Sequence, residues 1–165
     1  QHCQMADEAI FRRMAARGMC VNLFANHIYY WGDQHRALTM GPSRAARLDA
    51  CGTALRAGVP LAIHSDTPVS PVDTLFAVWC AVNRVTASGP TLGEGERIAP
   101  EQALRAVTLG AAYTLHLDHL VGSLDVGKFA DFAVLDRDPL DVEPMAIRDI
   151  AVRATVLGGR VFDAA

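Results

Sequence analysis

The chain has 165 residues, of which 51% are hydrophobic and 20% charged, and its formal net charge is −3. That length supports one ordinary domain with a real core, and the hydrophobic fraction excludes a disordered chain. The slight acidic balance argues against nucleic acid or an anionic membrane as partner, and no apolar run approaches the roughly 18 residues of a membrane span.

In chain order, Met5 to Arg17 reads as an amphipathic helix, with Ile10, Phe11 and Met14 near one face and Gly18 as its stop. Met19 to Phe24 reads as a buried strand. Ala25 to Pro42, rich in aromatic and polar groups, reads as a long loop of the kind that carries function. Ser43 caps a single helix over Arg44 to Arg56, ended by Gly58, and Val59 to Ile63 is the next strand. Pro71 to Val85 and Pro100 to Leu115 read as helices, separated by a polar, Gly-rich loop over Thr86 to Arg97. After Gly122 the character changes. Asp131 to Asp136 and Val152 to Leu157 read as strands, and Gly158-Gly159 turns the chain into a short return strand, Arg160 to Phe162. The class is α/β, followed by a small β segment.

The four cysteines, Cys3, Cys20, Cys51 and Cys80, lie far apart with no C-x-x-C pair. They read as reduced thiols of a cytoplasmic protein, not as a structural zinc site or a disulfide framework. No signal peptide is visible, and the start at Gln1, without Met, reads as the back part of a larger enzyme.

The chemistry concentrates in Pro60-Leu61-Ala62-Ile63-His64-Ser65-Asp66-Thr67-Pro68-Val69. A strand-like apolar run empties into a His and an Asp two residues apart, which puts both on one face. The carboxyl ends of strands are where α/β enzymes place their chemistry. Read from the residues alone, Asp66 serves catalysis or merely starts a turn, and His64 lines a pocket or is a satisfied structural His. His27, Trp31 and His35, together with Tyr29, Tyr30 and Asp33, either contact a substrate or pack against their own loop. His116 and His119 read as surface residues. No G-x-S-x-G or phosphate-binding loop is present.

Several stretches resemble one family. Gln1-His2-Cys3-Gln4 is similar to an E-H-x-Q strand end, and Ala62 to Val69 to a later strand end. Glu96-Arg97-Ile98-Ala99-Pro100-Glu101-Gln102-Ala103-Leu104 is similar to E-R-I-S-x-E-E-A-L. Gly122 to Asp136 matches G-S-[IL]-x-x-G-K-x-A-D-[FL]-x-V-L-D, the most specific motif of the chain, and Val156 to Val161 is similar to V-x-x-G-G-x-[VI]. Together they resemble the amidohydrolase superfamily, in its amidohydrolase-3 group of metal-dependent amide hydrolases.

The resemblance implies the C-terminal part of a distorted TIM (β/α)8 barrel, about strands 6 to 8, over residues 1–118. The C-terminal strands of a small β-sandwich would then cover residues 119–165. It implies a hydrolase of C–N bonds in amide, N-acyl or N-formyl groups of a small molecule. The implied cofactor is one or two divalent metal ions, zinc ahead of others. His2 and Asp66 are the implied metal ligands, Asp66 also the catalytic base, and His64, His27, Trp31 and His35 the substrate contacts. Asn83-Arg84 is similar to a family pattern and implies a structural Arg, capping or paired with a carboxylate such as Glu96. No H-x-H occurs in the chain, so the family's full ligand set is incomplete here. A partial barrel exposes strand edges. The chain is therefore expected to oligomerise or to associate with an N-terminal portion, and a non-catalytic accessory module is the alternative.

Overall fold

A computed structural model describes residues 1–164. Helix α1 (Glu8–Ala15) is capped by Asp7, whose carboxylate accepts the Ile10 N–H, and it buries Phe11 and Met14. Strands β1 (Val21–Leu23) and β2 (Leu61–Ile63) pair in parallel, with Val21 opposite Leu61 and Leu23 opposite Ile63. A parallel pair needs a long crossover. Here α2 (Asn26–Gln34), α3 (Pro42–Ala45) and α4 (Cys51–Arg56) supply it. Helix α5 (Thr74–Asn83), capped by Asp73, is apolar nearly all round and buries Ala77 to Asn83. Helices α6 (Pro100–Val107) and α7 (Leu109–Thr114) pack against β2. The core runs through Phe11, Val21, Leu23, Leu61, Ile63, Val78 and Trp79.

The last third forms an antiparallel sheet in the order β3 (Phe132–Leu135), β4 (Val152–Leu157), β5 (Arg160–Asp163). A 3-10 turn, Pro144–Asp149, ties it to α5. The Trp79 Nε1–H donates to the Met145 carbonyl at 3.1 Å, Asn83 Nδ2 donates to the Pro144 carbonyl at 2.9 Å, and the Arg148 guanidinium lies 4.7 Å over the Trp79 ring. The Gly122–Asp136 motif is structural throughout. Lys128 Nζ bonds Ser123 Oγ, Asp131 Oδ1 accepts the Gly158 N–H, and Asp136 Oδ1 accepts the Ala151 N–H.

The structure corrects five expectations. The expected loop over 25–42 is helix α2, which continues through His35–Thr39 in π geometry. The expected helix 44–56 is two helices, because Asp49 takes a left-handed φ of 46° between them. The expected helix 71–85 begins only at Thr74. The expected helix 100–115 breaks at Thr108, whose φ and ψ are −115° and −93°. Its hydroxyl bonds back to the Leu104 carbonyl instead of continuing the helix. Finally, Arg84 is structural, as the resemblance implied, but the pairing with Glu96 is not made. Its guanidinium is buried and donates to the carbonyls of Leu92, Asp49 and Leu48 at 2.8, 3.1 and 2.7 Å. Glu96 instead accepts the backbone N–H and hydroxyl of Thr53.

The break at Thr108 lets α7 approach β2 so closely that a Cβ at Gly110 would lie 2.1 Å from the Leu61 carbonyl oxygen. Gly110→Ala is therefore expected to destabilise the fold by about 1–3 kcal/mol or more through overpacking. Gly95→Ala, where a Cβ meets nothing within 4 Å, should change stability far less. Urea midpoints of the two variants compare the effects directly.

Candidate functional site

The site forms where β1 and β2 end and the N-terminal segment lies across them. The His64 N–H donates to the Leu23 carbonyl at 3.0 Å, carrying the parallel ladder one residue past β2. The chain then turns, with Asp66 at a left-handed φ of 55°, a conformation Asp tolerates better than most residues. Ser70 braces this turn. Its hydroxyl bonds the Ser65 carbonyl and accepts from Asn26 Nδ2, so the segments after both strands are tied together. Residues 1–3 form no strand and the chain turns at Gln4 and Met5, so the expected strand end is not formed. They are nonetheless held in place, since Asn22 Nδ2 donates to Gln1 Oε1 and the Asp49 N–H donates to the Gln4 carbonyl.

This arrangement brings His2, Asp66 and His64 together. His2 Nε2 lies 3.6 Å from Asp66 Oδ1, and its ring meets the His64 ring edge-on with centroids 4.9 Å apart. Two ligands at about 2.0–2.2 Å from one ion can span up to roughly 4 Å, so the separation suits a shared metal. Burial lowers the pKa of His64, with the His2 charge adding to the effect, and His64 Nε2 is buried without a hydrogen-bond partner. A neutral imidazole with a free ring nitrogen is the form that can ligate or bond a substrate. These donors fit part of a metal site. Among the described residues no three His, Cys, Asp or Glu side chains converge to hold an ion.

His27, Trp31 and His35 form a second cluster beside the first. They fall at i, i+4 and i+8 along α2 and the start of its π continuation, which places them on one face. His27 Nε2 lies 3.0 Å from His35 Nε2 and 3.2 Å from Gln4 Nε2, and the Trp31 ring meets His27 edge-on at 5.2 Å. The Phe24 ring separates the clusters, stacked on His64 at 5.4 Å and lying 5.4 Å from His27. Burial, then the charges of His35 and His2, lower the His27 pKa to about 4. His116 and His119 are exposed and take no part.

Sequence reasoning missed Asp49. It is fully buried, its Oδ1 accepts the Phe24 N–H at 3.4 Å, and its Oδ2 faces His27 Nδ1 at 3.6 Å. Desolvation pushes its pKa up to about 8, against the pull of the Arg84 charge, because Arg84 bonds main-chain carbonyls and leaves the carboxyl itself alone. Nothing local in Arg47-Leu48-Asp49-Ala50 signals this. The spacing of His27, Trp31 and His35, in contrast, was a readable helical signal.

The amidohydrolase family model matches residues 1–163. The chain belongs to the amidohydrolase family. Within it, the amidohydrolase-3 group is the match, as the Gly122–Asp136 motif implied. The chain is 30% identical over 161 residues to an N-substituted formamide deformylase of Arthrobacter pascens, covering 96% of this chain and 29% of that protein. It is similar in structure to an uncharacterized metal-dependent hydrolase from Pyrococcus horikoshii OT3, with TM-score 0.73 and 21% identity over 87% of this chain and 29% of the other. It is also similar to an adenosine deaminase from Xanthomonas campestris with bound zinc, with TM-score 0.64 and 23% identity over 97% of this chain and 35% of the other. The mixed α/β architecture is therefore the amidohydrolase fold. The chain spans under a third of the length of the first curated relatives it matches.

The buried Asp49 carboxyl makes stability pH-dependent in a defined direction. Between its ordinary value of 3.8 and about 8, the unfolded chain has released the proton while the folded chain keeps it. The folded state then binds more protons, so this group's contribution to stability falls as pH rises across that window. Asp49→Asn is expected to flatten the decline and to raise stability most near pH 8. Urea midpoints of both proteins from pH 5 to 8 test it, and parallel curves would contradict it.

Proposed function

We propose that this chain carries the last strands of a metal-dependent hydrolase barrel, about strands 6 to 8 over residues 1–118, with β-sandwich strands over 119–165. Its reaction is hydrolysis of a C–N bond in an amide, N-acyl or N-formyl group of a small molecule. The observation that carries this reading is the approach of His2 to Asp66, beside the unpartnered His64 nitrogen, where two parallel strands end. The family membership and the formamide deformylase relative support the choice of bond.

His2 Nε2 and Asp66 Oδ1 would hold one or two divalent ions, zinc ahead of others, which when bound polarise a carbonyl and acidify water. The Asp66 carboxylate accepts the proton of the attacking water and returns it to the departing nitrogen, as general base and then general acid. His64, kept neutral by burial, offers its free Nε2 to the substrate. His27, Trp31 and His35 line the approach and shape specificity, with Phe24 closing the floor between them and His64.

Asp66→Asn in the protein bearing this chain is expected to lower kcat/KM on an N-formyl amine about 10²-fold or more and to reduce bound zinc. Unchanged activity and metal content in that variant would overturn the assignment.

A second reading makes the chain a non-catalytic module that needs a partner or an N-terminal portion. The donor set, incomplete among the described residues, favours it. So does an apolar groove of about 1060 Å³ between α5, α7 and the β3–β5 sheet, edged by exposed Val72, Leu115, Leu124 and Phe132. No described helix is long and apolar enough to cross a membrane, and the cytoplasmic location belongs to this proposal. Assay of the chain alone with zinc, against the chain mixed with the preceding part of a barrel, separates the two. Turnover only in the mixture supports the module.

A further inference from the structure

The cluster around His27 has a geometry that lining a substrate's approach does not require. Two imidazole Nε2 atoms face one another at 3.0 Å. At a metal–nitrogen distance of about 2.0–2.1 Å, that separation subtends roughly 91–97° at a shared ion, near the angle between adjacent ligands in octahedral or square coordination. The Gln4 side-chain amide reaches His27 Nε2 at 3.2 Å, and a half-turn of that amide presents its carbonyl oxygen instead. His35 Nδ1 meets Thr39 Oγ1 at 2.7 Å, and a hydroxyl accepts as readily as it donates. His35 can therefore carry its proton on Nδ1 and leave Nε2 free.

The observation that points to a ligand lies behind the His27 ring. His27 Nδ1 and Asp49 Oδ2 are both buried, 3.6 Å apart, and neither has a hydrogen-bond partner. A metal-ligating His characteristically turns its other ring N–H to a carboxylate, which fixes the tautomer and strengthens the ligand. A cation at Nε2 would polarise the Nδ1–H toward Asp49 and offset the cost of an ionised carboxylate in that buried position.

We propose that His27 and His35, with Gln4, form a second divalent-metal site of the imidazole-binding class (zinc, nickel or copper), with Asp49 as the positioning carboxylate behind His27. The Phe24 ring stands between this site and His2, its centroid 6.0 Å from the His2 ring. The proposal goes beyond the hydrolytic reading and needs no turnover to be seen.

The experiment is titration of zinc alone into the protein carrying His2→Ala and Asp66→Asn, purified without tag histidines. Equilibrium dialysis with plasma mass spectrometry gives the metal content, and imidazole ¹⁵N NMR gives the ligands. One zinc should remain, and the Nε2 resonances of His27 and His35 should move together. Adding His35→Ala should weaken binding at least ten-fold, and Asp49→Asn about 10–100-fold. Far-UV circular dichroism checks folding, and His35→Gln, which keeps the bulk, serves if the alanine variant unfolds.

Zinc binding unchanged by both His35 variants overturns the site. So does loss of all zinc in the folded His2→Ala, Asp66→Asn protein, which would assign the metal to that pair alone. Absence of zinc binding, with a plain proton shared between the two imidazoles, overturns it as well. The hydrolytic reading fails separately, through unaltered turnover of Asp66→Asn.

Discussion

A single buried guanidinium organises the approach to the site. Arg84 sits at the C-terminal end of α5 in a left-handed conformation and directs its fork at the carbonyls of Leu48, Asp49 and Leu92. Five fixed donors suit Arg to several acceptors at once, and a buried charge is tolerable only when hydrogen-bonded. Capturing the Leu48 and Asp49 carbonyls holds the chain open between α3 and α4, where a continuous helix would have used those oxygens internally. Asp49 thereby points its carboxyl inward, under His27 and against the Phe24 N–H. Removing the guanidinium would free the peptide group on which the geometry of the His27 cluster rests.

The electrostatic character follows from burial more than from charge pairing. His27 and His64 are held neutral and Asp49 is held protonated, each with desolvation as the leading cause. Imidazoles packed against Phe24 and Trp31 lose water without gaining opposite charges at hydrogen-bond distance. Such a region offers lone pairs in place of fixed charge. His2 and Asp66, both partly exposed, form the contrasting polar edge where water can enter.

The fold places these groups at one end of a two-stranded parallel sheet against which α4, α6 and α7 pack. Parallel strands with helical crossovers put successive strand ends side by side, so residues 40 positions apart in sequence, such as Phe24 and His64, meet as stacked rings. The distal sheet is fastened to α5 through the Trp79 and Asn83 bonds but leaves Phe132, Val134 and Val161 exposed.

Local periodicity, turn residues and short motifs were enough for the α/β class, the strands around β1 and β2, the terminal hairpin and the family. The strand pattern also marked His64 and Asp66, and the family resemblance marked His2, whose place beside them depends on the bonds of Gln1 and Gln4 to Asn22 and Asp49. The sequence misplaced the segment 25–42, where aromatic and polar residues obscured a helix whose packed face is spaced at i, i+4 and i+8. It ran two broken helices through, since the break at Asp49 is held by the distant Arg84 and the one at Thr108 by a hydroxyl that bonds back to the Leu104 carbonyl. Packing alone buries Asp49 behind His27 and brings His27 to His35 and Gln4. Desolvation and contact between residues far apart in sequence are properties of the packed molecule, and no local pattern carries them.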